Sequence, residues 1–139
     1  MKLDLSFDYL TIKDYEHWTL QVACNQSYLG RCIIWCKREN AEDLSDMTPD
    51  ESAELVEILN ELKKAEITAF NTDWFNYSFL GNGTRHLHCH FIPRYETKRE
   101  FSGITFEDKF WGSNFKTDPD FVTTDEIREK VKLELKKHI

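Results

Sequence analysis

The sequence predicts an α+β fold: an antiparallel sheet of about five strands with helices packed on one face, in a single domain covering residues 1–139. Three observations carry this. Apolar alternation marks two strand pairs, at 17–25 with 31–38 and at 73–81 with 85–95. A strongly capped amphipathic helix separates the pairs, and a second helix with ordered end charges closes the chain. Strand pair, helix, strand pair, helix is the order of an α+β domain rather than a parallel α/β one.

The first 13 residues have no clear period and resist assignment. In "HWTLQVACN" (17–25), Trp18, Leu20, Val22 and Cys24 fall on one face. "QSYLG" interrupts the pattern, and the more fully apolar "RCIIWCKR" (31–38) completes a hairpin with a five-residue connection. The helix that follows is announced by Thr48 as N-cap, Pro49 in the first helical position and Glu51 closing a capping box. Leu55, Ile58, Leu59 and Leu62 form its apolar stripe. Asn82-Gly83 marks a turn between "DWFNYSFLG" and "RHLHCHFIPRY". Residues 96–122 lack a period but hold Phe101, Phe106, Phe110, Trp111, Phe115 and Phe121. So aromatic a loop is expected to pack back on the body as a cap, with a wall for a ligand as the alternative. The last helix starts at Thr124, with Asp125 and Glu126 first and Lys136 and Lys137 last, as the helix dipole prefers.

Composition narrows the function. The net charge of −7 argues against an extended nucleic-acid footprint. Within residues 85–99, however, Arg85, Arg94, Lys98 and Arg99 face only Glu96. An acidic chain with one basic, histidine-rich segment points to a small anionic ligand. Acids interrupt "MKLDLSFDYL" where a signal peptide needs apolar residues, and no stretch approaches a membrane span. The chain is therefore expected to be soluble, cytoplasmic and free of membrane partners. Cys24, Cys32, Cys36 and Cys89 read as thiols of a reducing compartment, with zinc held by the first three as a weaker option.

The chemistry is concentrated in "GNGTRHLHCHFIPRY" (81–95), where His86, His88 and His90 alternate. Residues two apart in a strand share a face, so the imidazoles are expected on the open side of the sheet. Leu87, Cys89 and Phe91 then meet the helix. Across four residues the outer histidines have Cα atoms roughly 13 Å apart, so all three do not readily reach one zinc ion. No metal ligand is assigned on this basis. A phosphate ester suits the row better: it offers several oxygens and a leaving group to imidazoles spaced along a strand. The central histidine can attack phosphorus while its neighbours donate hydrogen bonds.

"HLHCHFI" (86–92) resembles the His-φ-His-φ-His-φ-φ signature of the histidine triad (HIT) superfamily of nucleotide hydrolases and transferases. "NQSYLGRCIIWCKR", "DMTPDESAEL", "FNYSFLGN", "HFIPRY" and "FSGITFEDKFWGSNF" look like successive blocks of one subfamily, over roughly residues 18–116. The resemblance implies a HIT-like fold, with residues 96–139 as a packed loop and helix following the triad. It implies His88 as nucleophile at a nucleotide α-phosphorus, through a nucleotidyl-histidine intermediate. His90 and His86 would bind phosphate oxygens and orient the nucleophile, Asn76 would contact the α-phosphate, and Asn25 would hold ribose hydroxyls. Substrates in the superfamily include dinucleoside polyphosphates, nucleoside phosphoramidates and adenylated conjugates. No cofactor is implied beyond a divalent cation carried by a polyphosphate, and homodimers are common. A non-catalytic nucleotide-binding or sensing module is the alternative, and a zinc-dependent hydrolase a weaker one.

The chain departs from the family pattern in two places. Gly30-Arg31 stands where many members have Gly-His, and Glu39 where another histidine is common. Arg31 is then either a phosphate contact or a solvated strand residue. The loop before the triad is short, and strand parity decides its length. A three-residue loop, 82–84, pairs Ser78 with His88 and Asn76 with His90, placing Asn76 and Ser78 on the triad face.

Overall fold

The computed structural model describes residues 5–139. Five strands form one antiparallel sheet in the order β1-β2-β3-β5-β4. They are β1 (Thr11–Asp14), β2 (Trp18–Val22), β3 (Cys32–Cys36), β4 (Trp74–Ser78) and β5 (His88–Arg94). Helices α1 (Pro49–Phe70) and α2 (Asp125–Lys136) complete the core, and a short ribbon pairs β6 (Arg99–Phe101) with β7 (Ile104–Phe106).

Of the unassigned first 13 residues, the first four lie outside the described part. Leu5–Leu10 form a 3₁₀ turn that leads into β1. Strand β1 hides from pattern reading because it is a four-residue edge strand with an irregular register, and only Ile12 is buried. The β2–β3 hairpin is as expected, but its strands are shorter and its connection runs from 23 to 31.

Helix α1 starts as the sequence dictates. Thr48 accepts from the Glu51 amide, and the Glu51 carboxylate accepts from the Thr48 amide, 2.9 Å away. Asn71 ends the helix in the left-handed conformation (φ 52°). Leu55, Ile58, Leu62 and Ala65 are buried against the sheet, and the Trp18 indole donates to the Glu51 carbonyl at 2.9 Å. Leu87, just before β5, and Cys89 and Phe91 within it supply the matching face, all fully buried. Pro93 is tolerated in this inner strand because β3 pairs with β5 only as far as Phe91.

One ionisable carboxyl lies inside this core. Glu66 is fully buried under Gly30, whose φ of +85° and missing Cβ make room for the carboxyl. A methyl group at Gly30 would collide with that carboxyl and would be strained by the left-handed backbone besides. Burial pushes the Glu66 pKa well above the ordinary 4.5, outweighing a hydrogen bond from Cys32 that lowers it. The folded protein thus keeps a proton that the unfolded chain releases once pH exceeds its ordinary value. Stability from this site is complete below that value and falls as pH rises toward the folded pKa. Glu66→Gln should therefore gain melting temperature over the parent between about pH 5 and 8 and match it near pH 4. Parallel thermal melts across that range check this, and parallel curves at all pH values would refute it.

Candidate active site

Segment 107–121 lies across the sheet on the side away from α1, tied at several points. Its anchor is Arg94, at the end of β5, in a buried ion pair with Asp108; the side chains are 4% and 1% exposed. Arg94 Nε and Nη2 donate to the two carboxylate oxygens of Asp108 at 2.7 and 3.1 Å. Nη1 donates to Asn76 Oδ1 and the Ser113 carbonyl, and Nη2 also to the Phe110 carbonyl. All five guanidinium N–H groups are thereby used. At the other end, Asn25 Nδ2 donates to the Asp118 carbonyl at 2.8 Å and the Lys116 amide donates to the Tyr28 hydroxyl.

The six aromatics divide. Phe106 is buried, and Phe101 and Phe121 pack against the core, as a cap should. Phe110 and Trp111 are about 40% exposed, and Phe115 lies over the Arg31 guanidinium. The cap thus involves only part of the aromatic set, and Phe110 and Trp111 remain half-exposed.

Below it stand the histidines, though not as an open row. His86 is 1% exposed and precedes β5, at a bend rather than in the strand. There the chain bonds to the β3 side: the Leu87 carbonyl accepts from the Cys36 amide and the Leu87 amide donates to the Ala41 carbonyl. His86 Nε2 donates to the Cys36 carbonyl, leaving Nδ1 buried without a partner. His88 is 6% exposed and stacks on Trp35 with ring centroids 4.5 Å apart. Its Nδ1 donates to the His86 carbonyl. Its Nε2 faces His90 Nε2 at 3.1 Å, and His90 Nδ1 faces Arg31 Nη2 at 3.3 Å.

These contacts fix the protons, because the ends of the chain have fixed roles. A guanidinium only donates, so His90 Nδ1 accepts and its proton is on Nε2. A carbonyl only accepts, so the His88 proton is on Nδ1 and its Nε2 keeps a lone pair. Donation therefore runs from Arg31 to His90, from His90 to His88, and from His88 to the His86 carbonyl, which accepts. Burial lowers the His88 pKa, and the nearby His86 lowers it further against the opposing hydrogen bond to the backbone. Burial, Arg31 and His88 together bring His90 down to about 4. Both rings are neutral at pH 7. A cavity of about 310 Å³ opens beside them, lined by Ile33, Trp35, His88, His90 and the 80–84 loop.

Asn76 and Ser78 share the triad face, as parity requires, but the register is two residues off the expected one. Ser78 pairs with His90, and Asn76 with Ile92. The loop from 79 to 87 is too long for a tight turn, because Leu87 is already committed to the β3 side. Ser78, with a buried and unpartnered hydroxyl, therefore lies opposite His90. The Asn76 oxygen is engaged by Arg94. Asn25 is engaged as well, since its Oδ1 accepts from the Ser27 amide while its Nδ2 holds Asp118. Arg31 is 7% exposed and not a solvated residue. Cys24, Cys32 and Cys36 do not cluster as metal ligands; among the described residues only Glu16, His17 and Glu54 have such spacing. Asp108, Trp35 and Thr117 gave no signal in the sequence, and Arg94 was visible only as one charge of the basic segment 85–99 and within "HFIPRY".

A profile of the HIT domain matches residues 23–97, more than half of the chain. The chain belongs to the histidine triad family. Among solved structures, this HIT protein is similar to a histidine triad protein from Bradyrhizobium japonicum (TM-score 0.73, 18% identity, covering 99% of this chain and 97% of that one). It is also similar to a hypothetical histidine triad nucleotide-binding protein from Sulfolobus tokodaii (TM-score 0.71, 19% identity, 93% and 82% covered). A third is a diadenosine triphosphate hydrolase from Plasmodium falciparum (TM-score 0.66, 14% identity, 97% and 78% covered). No curated protein matches by sequence. Such distant likenesses establish a common fold, and no helix among the described residues is long and apolar enough to cross a membrane.

The Arg94–Asp108 pair gives a direct test of how the segment is held. Asp108→Ala leaves a buried guanidinium without its counter-charge and should cost about 3–5 kcal/mol. Thermal denaturation measures the loss, and limited proteolysis should locate new cleavage within 107–121. An unchanged melting temperature would contradict the anchoring role.

Proposed function

We propose that this HIT protein hydrolyses or transfers a nucleotidyl group at its α-phosphate, with His88 as nucleophile. The observation that carries this reading is the His88 ring itself. Its Nδ1 proton is committed to the His86 carbonyl, so Nε2 keeps its basic lone pair, held by the His90 N–H, in a ring that lines the cavity. In the first step Nε2 bonds to phosphorus as the bond to the leaving group breaks, and the leaving group takes the electron pair. The charge gained by the ring is held by the Nδ1–H bond to the carbonyl. The His90 N–H turns from His88 to a phosphoryl oxygen, and the Ser78 hydroxyl lies on the same side. In the second step water bonds to phosphorus and gives up a proton to solvent, and the P–N pair returns to Nε2.

The nucleotide-binding and diadenosine triphosphate hydrolase relatives support a nucleotide ligand. The four free thiols fit a cytoplasmic setting. A homodimer completes this reading, since the outer edge of β4 is unpaired in the sheet and Trp74 beside it is 64% exposed. Light scattering across micromolar concentrations should give twice the mass of a 16.6 kDa chain, and a monomer throughout would remove that part.

Dinucleoside polyphosphates and nucleoside phosphoramidates, offered to the parent and to His88→Ala, test the reaction. Turnover by the parent should fall by at least about a thousandfold in the variant, as expected on losing a nucleophile. Turnover surviving in His88→Ala would refute the assignment. Binding without turnover by the parent would favour a sensing module. Because only neutral His88 attacks and its pKa is lowered, the acid limb of kcat/KM should fall below the ordinary 6.5.

A further inference from the structure

Arg31 occupies the position where histidine is common in the family, and its surroundings give the difference a chemical meaning. The left-handed Gly30 turns the chain so that Arg31 enters the site. Its Nη1 donates to Thr117 Oγ1 at 2.6 Å, its Nη2 donates to His90 Nδ1, and the Phe115 ring lies 5.4 Å from its guanidinium carbon. Among the described residues no carboxylate pairs with it; the titratable group facing it besides His90 is the Tyr28 hydroxyl. A buried cation without a counter-charge is costly to the fold and is best neutralised by an anionic ligand.

Its effect on His90 is equally specific. The bond from Arg31 occupies the one ring nitrogen that could accept a second proton. The neighbours of His90 on the adjacent strands, Ile33 on β3 and Ser78 on β4, are uncharged, as are Phe115 and Thr117 from the segment above. The remaining groups are the guanidinium and His88. Nothing near His90 therefore favours an imidazolium.

We propose that Arg31 makes the site selective for phosphoanhydrides: it holds His90 as a neutral hydrogen-bond donor and offers its own charge to a departing phosphate. This rests on nucleotidyl transfer at His88. When an anhydride reacts, the N–P bond forms, the P–O bond breaks, and the electron pair stays on a phosphate oxygen that needs no proton. When a phosphoramidate reacts, the P–N bond breaks and the amine must acquire a proton as it leaves. Neutral His90 could supply that proton only by becoming an anion, so the amine departs poorly. The ligand class is a nucleoside 5′-polyphosphate, whose departing phosphate or polyphosphate keeps the electron pair.

The test compares diadenosine triphosphate with adenosine 5′-phosphoramidate on the parent, Arg31→Gln and Arg31→His. The parent should prefer the anhydride by about tenfold or more in kcat/KM, and Arg31→Gln should shrink that preference by a similar factor. Arg31→His, which restores the family's residue, should raise phosphoramidate turnover. Ring-nitrogen NMR should find His90 neutral, protonated on Nε2, down to about pH 5 in the parent, and titrating at higher pH in Arg31→Gln, with burial still holding it below the ordinary 6.5. Turnover of both substrates with a preference unchanged in Arg31→Gln would overturn the role of Arg31 alone. A parent preference for the phosphoramidate, or His90 titrating near 6.5 in the parent, would also overturn it. No turnover of either substrate by the parent would overturn nucleotidyl transfer itself. The His90 titration is read on the unmodified protein and decides whether or not a variant folds.

Discussion

The buried guanidinium of Arg94 is the constraint on which the site depends. A charge taken out of water is tolerated only when its geometry is complete, and this one has five donors meeting five acceptors. Those acceptors come from β4 and from both sides of the turn at Phe110–Ser113. One side chain at the end of the triad strand thus fixes the neighbouring strand and the segment above it together. The same segment delivers Thr117 and Phe115 to Arg31. The proton order along His90 and His88 is set by Arg31, so it follows indirectly from an ion pair at the far end of the strand.

Much of this was legible in the sequence because local rules and global fold agree. Thr48, Pro49 and Glu51 specify a helix start regardless of what the helix packs on. The alternation of β5 places Cys89 and Phe91 in the core and His88 and His90 opposite, and no competing pattern exists there. Glycine and asparagine at the loop before the triad also gave a correct sign, a reversal of direction. They gave its length wrongly, because a turn signal describes four residues while the strand ends are set by partners far away. Leu87 bonds to Ala41 and Cys36, more than forty residues back, and that pairing lengthens the loop.

The polar roles were least legible for the same reason. Asn76 and Asn25 are residue types suited to phosphate and ribose, yet the Asn76 oxygen accepts from Arg94 and the Asn25 amide donates to Asp118 in segment 107–121. Whether an amide is free depends on what covers it, and an aperiodic loop gives little notice of its path. Arg31 shows the opposite case. Its type was ambiguous between solvent and ligand, and burial beside His90 removed the first option.

The position of the bend at His86 also bears on how such a chain can change over generations. From His88 to Arg94 every residue is committed to one side of the sheet, so inserting or deleting a single amino acid there would exchange triad-face and core side chains along the rest of the strand. The stretch from 79 to 85 carries no strand pairing and takes no part in that alternation. Length variation before the triad is therefore tolerable, whereas inside it even one residue is not. The spacing of the three histidines behaves as a reading frame, and the loop is where frame-neutral change can accumulate.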